Sequence, residues 1–325
     1  TGYKSGNFEP YLYKTKDYGK TWTKITKGID AEHFTRVIRA DPVKKGMLYA
    51  GTETGMYYSK DDGANWHSLQ MNLPIVPITD LAIKDNNLIA ATQGRSFWII
   101  DDLTVLHQAE PGIENKKLHL FKPQDSYRID GVKRKSPTMG TNRPGGVLVY
   151  YFIKEEPKEE LKIEFLDNGN NVLRTFSTKG YQGDTLKVKA GSNEFNWNLR
   201  VEDAEGFDGL IMWAANLRGP KVVPGDYKVR VTLDGERQEQ GFKVLADPRY
   251  ETTQGGLEKQ FEFLMNVNRK LTETHQTIKL IRQYRAELDS MENKPANLEQ
   301  IKAQMQEIEE TLYQTKNRSG QDPLN

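Results

Sequence analysis

The sequence predicts a mainly β chain that ends in an α-helical hairpin, and three observations carry that reading. An eight-residue phrase with turn chemistry occurs twice near the start. Short runs of alternating apolar and polar residues fill the chain to about residue 247, and past residue 255 apolar residues recur at steps of three and four instead.

The phrase is Thr15-Lys16-Asp17-Tyr18-Gly19-Lys20-Thr21-Trp22 and, 44 positions on, Ser59-Lys60-Asp61-Asp62-Gly63-Ala64-Asn65-Trp66. Both copies read S/T-x-D-x-G-x-T/N-W. In a hairpin turn the Asp carboxylate accepts hydrogen bonds from loop N–H groups, the Gly takes a positive φ, and the Trp folds back between sheets. The interval suits one blade of a β-propeller. Phe34 to Pro42 reads as an inner strand ending in an Asp-Pro turn, and Met47 to Glu53 and Gly55 to Ser59 as the next two strands. Ile78 to Ile83, Asn87 to Thr92 and Phe97 to Ile100 supply a further blade without the phrase.

The repeated phrase resembles the Asp-box, and the chain around it resembles the BNR-repeat β-propellers: sialidases, xyloglucanase-like glycoside hydrolases and sortilin-type receptors. Thr92-Gln93-Gly94-Arg95-Ser96-Phe97-Trp98-Ile99-Ile100-Asp101-Asp102-Leu103 is similar to the closing segment of bacterial BNR-repeat glycosyl hydrolases. That family carries His at the place of Gln93, so any role of the His does not carry over. A propeller closes with about four to eight blades, whereas residues 1–110 hold two blades and a remnant beginning at Pro10-Tyr11-Leu12-Tyr13. The resemblance therefore implies a partial ring: the C-terminal portion of a larger extracytoplasmic protein whose upstream blades are its first partners.

Composition narrows the function. Lys and Arg number 46 against 45 Asp and Glu, a net charge of +1, so no long-range field draws nucleic acid or an anionic membrane. No apolar run approaches the roughly 18–20 residues that span a bilayer. The absence of cysteine excludes disulfides, zinc ribbons and thiol catalysis, and with them the cysteine-rich module that follows the propeller in animal sortilin-type receptors.

From Pro111 to about Pro144 the turn residues Pro111-Gly112, Pro123, Pro137 and Pro144-Gly145-Gly146 mark a linker, taken as residues 111–145, with Lys133-Arg134-Lys135 as a solvated loop. Residues 146–247 read as a β-sandwich with runs at Val147 to Ile153, Leu161 to Leu166, Val172 to Ser177, Leu186 to Val188, Glu194 to Leu199, Tyr227 to Leu233 and Gln240 to Leu245. Asp167-Asn168-Gly169-Asn170 and Asp234-Gly235 are hairpin signals. Asn196-Trp197-Asn198-Leu199-Arg200 and Gly219 to Tyr227 resemble immunoglobulin/fibronectin-like accessory domains of secreted bacterial proteins. Trp197 is assigned to the core between the sheets.

Residues 255–318 read as the helical hairpin. Leu257, Phe261, Leu264, Leu271, Ile278, Ile281 and Leu288 form one apolar stripe, and Leu298, Ile301, Met305, Ile308 and Leu312 another. Lys294-Pro295 breaks the first helix, Asn297 with Gln300 suits a capping box for the second, and Ser319-Gly320 ends it near Asn317. His275 is read as a packing histidine.

For chemistry, glycoside hydrolysis needs two carboxylates about 5 Å apart for retention or 6.5–9.5 Å apart for inversion. In a propeller the ligand face gathers at the entrance of the innermost strands. This makes Asp80 the catalytic candidate, as acid, base or positioning group, with a strand-capping role as its plain counterpart. Arg36 is a ligand-face candidate, and Trp213, in Leu210-Ile211-Met212-Trp213-Ala214-Ala215, a candidate for stacking on a glycan. Asp17, Gly19, Trp22, Asp61, Gly63 and Trp66 serve the fold, and Asp101 and Asp102 belong to the turn after the last strand. His33, His67, His107, His119 and His275 stand apart from one another, so no metal and no cofactor is expected. The expected function is a non-catalytic portion of a carbohydrate-processing hydrolase with an oligosaccharide ligand. The alternative is a sortilin-like propeller that binds peptide or glycan without turnover, and the oligomeric state is left open.

Overall fold

In a computed structural model of the chain, residues 2–129, 140, 143–180, 185–212, 215–316 and 318 are described. They form two compact units, Thr1–Glu110 and Pro111–Asn325. The protein is mainly β, with two long helices at its C-terminal end.

The first unit is built from three antiparallel sheets. β1 (Tyr13–Lys14) pairs with β2 (Thr23–Lys24); β3 (Thr35–Ala40), β4 (Leu48–Thr52), β5 (Met56–Ser59) and β6 (His67–Ser68) form the second sheet in that order; β7 (Ile78–Lys84), β8 (Asn87–Thr92) and β9 (Phe97–Ile100) form the third. The repeated phrase makes the turn between β1 and β2 and again between β5 and β6. Asp85 and Asn86, at φ 51° and 61°, turn β7 into β8 as a two-residue hairpin requires. A bulge falls between Thr35 and Val37 in β3 and between Ile78 and Asp80 in β7. Thr35 pairs with Thr52 and Ile78 with Thr92, so β7, β8 and β9 of the third sheet repeat β3, β4 and β5 of the second.

Packing repeats as well. Leu12, Ile25 and Ile29 cover Ile38, Ala50, Tyr57 and Trp66 on one side of the second sheet. On the other side Val37, Tyr49 and Met56 meet Ile78, Leu81, Leu88 and Ala90 of the third. Gly51 permits that approach: a Cβ there would lie 2.6 Å from the Ile78 side chain and 2.8 Å from that of Val37. Asp101 and Asp102 lie at the bend after β9, as expected, and that bend leads into α1 (Thr104–Gln108), with Asp102 accepting the Thr104 N–H at 2.8 Å. Five residues of helix leave too short a periodic signal to read.

In the second unit, β10 (Leu118–Leu120), β12 (Val147–Ile153) and β15 (Gly191–Trp197) form one sheet. β11 (Ser126–Tyr127), β17 (Glu236–Leu245), β16 (Gly225–Leu233), β13 (Leu161–Asp167) and β14 (Val172–Ser177) form another. Their inner faces share one core in which Trp197, fully buried, stacks on Phe165 at 4.3 Å and donates from its indole N–H to the Arg200 carbonyl at 2.9 Å. The stretch expected as a linker thus contributes a strand to each sheet, and their few residues are legible only through their pairing partners. Leu186 and Val188, expected as a strand, pack against the core without forming one. Lys133-Arg134-Lys135 lies outside the described residues.

The helices are α2 (Gln254–Ser290) and α3 (Leu298–Leu312). Thr253 caps α2 by accepting the Gly256 N–H at 3.1 Å. Asn297 begins α3 without a side-chain cap, and the helix stops at Leu312, short of Asn317. On α2 it is Met265 and not Leu264 that packs on the core beside Phe261. On α3 Leu298 is buried as expected, Ile308 and Leu312 are exposed, and the second buried position belongs to Glu309. Two arginines of α2 hold its carboxylate, which an apolar count passes over.

Candidate functional site

The repeated loops are built alike atom for atom. In the first, Asp17 accepts the Thr21 N–H at 2.9 Å and the Thr21 hydroxyl at 2.6 Å, and Gly19 N–H donates to the Thr15 hydroxyl at 2.8 Å. In the second, Asp61 accepts the Asn65 N–H at 2.8 Å and its amide at 2.7 Å, and Gly63 N–H donates to Ser59 at 2.9 Å. Gly19 and Gly63 take φ of 91° and 87°, where a Cβ is strained. The hydrogen bond from the Thr21 hydroxyl leads those that hold the Asp17 carboxyl down at about 2. For Asp61 burial pushes upward, and the Asn65 and Ser59 donors outweigh it and keep the carboxyl below the ordinary range.

The two tryptophans part ways. Trp66 is 3% exposed, its indole N–H reaching the Ile25 carbonyl at 2.7 Å. Trp22 is 59% exposed and bonds only back to Gly19 at 3.1 Å. The expectation that both lie between sheets holds for one: Trp66 has the β1–β2 hairpin to cover it, and no described element covers Trp22.

Asp80 and Arg36 each have their own partner. The Asp80 carboxylate accepts from Arg39 at 2.5 Å and from the Leu81 N–H at 2.8 Å. Arg36 sits in the bulge of β3, donating to Glu53 at 2.5 Å with its guanidinium 5.3 Å from the centre of the Phe34 ring. In the repeat Arg36 corresponds to Thr79, and Asp80 to Val37. Trp213 lies outside the described residues. Among the described residues no group of three or more His, Asp or Glu is placed to hold a metal, and no helix is long and apolar enough to cross a membrane.

Sequence reading missed a buried cluster around Asp41. One carboxylate oxygen accepts the Val43 and Lys44 N–H groups, both at 2.8 Å; the other accepts the Tyr49 hydroxyl and the His107 ring N–H, both at 2.7 Å. Burial would raise the Asp41 carboxyl, but these four donors more than offset it and hold it low. Burial, reinforced by Asp41, pushes the Tyr49 hydroxyl far above the ordinary phenol range. With its lone pairs occupied and its side chain shut off from water, Asp41 ties β3, β4 and α1 together and offers no base to a substrate. The Asp-Pro turn hinted at it; nothing in the local pattern marked His107.

Two open features remain on this unit. Lys14, Lys16, Lys24 and Lys27 line a groove of about 460 Å³ beside Asp61 and Asp62, with Lys14 paired to Asp62. The third sheet presents Ala82, Ile89, Ala91, Phe97 and Ile99 together, Phe97 being 74% exposed. By the strand-for-strand correspondence, this is the side on which the second sheet receives the third.

No protein-family model and no curated protein matches the chain. Among solved structures it is similar to PorZ, an essential bacterial surface component of the type-IX secretion system of Porphyromonas gingivalis. The identity is 14% over 72% of this chain and 25% of that one, with a TM-score of 0.23. The extracellular domain of BT4673 from B. thetaiotaomicron is 12% identical over 74% of this chain and 34% of that one, at 0.23. YCF48 bound to the D1 peptide is 16% identical over 71% and 60%, at 0.22. The chain thus spans less than two thirds of each of these proteins.

Proposed function

We propose that residues 1–110 are two blades and an outer hairpin of an Asp-box β-propeller, and that the chain is a non-catalytic portion of an extracytoplasmic carbohydrate-processing protein. In this reading residues 111–145 lead into an immunoglobulin/fibronectin-like sandwich at 146–247 and give it the strands β10 and β11, and the helical hairpin at 255–318 follows. Support for the propeller comes from the duplicated loop bonds and the duplicated sheet packing, and for the sandwich from Tyr227. That tyrosine stands near the start of β16 and donates back to the Val223 carbonyl at 2.7 Å, as the corner tyrosine of such domains does.

The observation that carries the non-catalytic reading is the Arg39–Asp80 ion pair. A general acid must be free to face substrate, and the Asp80 carboxylate is instead engaged by the Arg39 guanidinium and the Leu81 N–H. Further blades of the same protein are the partner for the exposed Ala82–Phe97–Ile99 face. Purified residues 1–325 incubated with xyloglucan, arabinan and sialoside substrates are expected to release no product. Turnover abolished by Asp80→Asn would end this reading.

The lysine-lined groove favours a second reading, a propeller that binds an acidic glycan or peptide without turning it over. Ammonium groups there offer donors to carboxylate or sulfate. Retention of the chain on a sulfated-glycan array, lost in Lys16→Ala/Lys27→Ala, is its expected signature.

A further inference from the structure

We propose that Asn168 is a site of spontaneous deamidation, because its turn copies the carboxylate clasp of the repeated loops without the hydroxyl that holds their glycine nitrogen. The turn Asp167-Asn168-Gly169-Asn170-Asn171 joins β13 to β14. Asp167 accepts the Asn171 N–H at 2.8 Å and its side-chain amide at 2.9 Å, as Asp61 does with Asn65. In the repeated loops the Gly N–H is also held, Gly19 by Thr15 at 2.8 Å and Gly63 by Ser59 at 2.9 Å. The residue two places before Asp167 is Phe165, fully buried and without an acceptor. Among the described residues no group takes up the Gly169 N–H or the Asn168 amide, and both residues are exposed.

The Gly169 nitrogen is the nucleophile. It loses its proton to water, attacks the Asn168 Cγ and closes a succinimide ring, while the Cγ–Nδ2 bond breaks and ammonia leaves. Water then opens the ring at either carbonyl, giving aspartate or, with the main chain rerouted through the side chain, isoaspartate. In sum a water is taken up and an ammonia released, with no change of oxidation state. Glycine favours the closure because no Cβ crowds its nitrogen, and an N–H already bonded must first give up its acceptor. That protects the neighbours. For Asn170 the attacking nitrogen would be that of Asn171, which Asp167 holds, and the Asn170 amide oxygen accepts from Lys228 at 2.8 Å. Asp62-Gly63 offers a carboxylate in place of the amide, and its Gly N–H is tied to Ser59. The new carboxylate at 168 enters a hollow of about 470 Å³ lined by Lys122, Lys228 and Lys243 with Asp125 and Asp226, where cations outnumber anions. Isoaspartate also lengthens the main chain between Asp167 and Asn171 and so opens the clasp.

The test is incubation of the folded full chain in mildly alkaline buffer, followed by peptide mapping with fragment masses. Asn168 is expected to lose its amide ahead of every other described asparagine, yielding aspartate together with isoaspartate that an isoaspartyl methyltransferase labels. Asn168→Ser should abolish the change in this turn. Asp62→Asn puts the same pair into the second repeated loop, where Ser59 still holds Gly63. There deamidation should run slower than at Asn168 by about tenfold, the worth of one hydrogen bond, and Asp62→Asn/Ser59→Ala should restore the rate. Deamidation confined to urea-unfolded chain, another asparagine reacting first, or an Asp62→Asn loop as fast as Asn168 with Ser59 in place would overturn the proposal.

Discussion

Trp66 and Trp22 close loops with the same internal hydrogen bonds, yet burial separates what each contributes. Replacing Trp66 by Ala removes an indole from the Leu12–Ile25–Ile29 contact and should cost about 3–5 kcal/mol in denaturant unfolding. Trp22→Ala should cost about 1 kcal/mol or less, as an exposed site does. Equal losses would show that Trp22 is covered in solution. Asp41 makes a second residue-scale case. Its carboxyl titrates lower in the folded chain than in the unfolded one, so its stabilisation is complete at neutral pH and disappears as pH falls through the acid range. Asp41→Asn should therefore lower the melting temperature at neutral pH and flatten its decline toward about pH 3. A mutant with the wild-type acid profile would remove Asp41 from the account.

At the scale of elements, the close approach of β4 and β7 rests on a missing methyl. Gly51→Ala should destabilise the first unit by about 1–3 kcal/mol through overpacking against Ile78 and Val37, measured by thermal melting. Ala91 stands at the matching place on the third sheet, half-buried and outside every core cluster, so Ala91→Val should be near neutral. For α3, Glu309 is 2% exposed between two arginines that keep partial contact with water. Glu309→Ala should loosen α3 by about 2 kcal/mol, the arginines being left facing one another without a counter-charge. Amide exchange along Leu298–Leu312 should rise while that of β12–β17 stays protected; uniform exchange through the unit would argue against a local latch.

For the whole molecule, separate cores imply separate transitions. The clusters around Tyr49 and Trp66 share no residue with the one around Trp197 and Phe165. Denaturant titration should resolve two steps, with Phe165→Ala shifting one and Trp66→Ala the other. A single transition moved by both variants would instead show the two units to be coupled.

What the sequence determined alone is whatever rests on local chemistry. Asp17, Gly19, Asp61 and Gly63 announce their turns because carboxylate, hydroxyl and positive φ act within a few residues. The alternation in β12, β13 and β16 and the three-and-four stepping of α2 are legible for the same reason. Tertiary structure decided the rest: which of two identical tryptophans is buried, that residues 118–127 complete two sheets, that Asp41 waits for a histidine 66 positions on, and that a glutamate is buried on α3 beside the expected Leu298. Those outcomes depend on partners distant in the chain, and no window of sequence contains both members of such a pair.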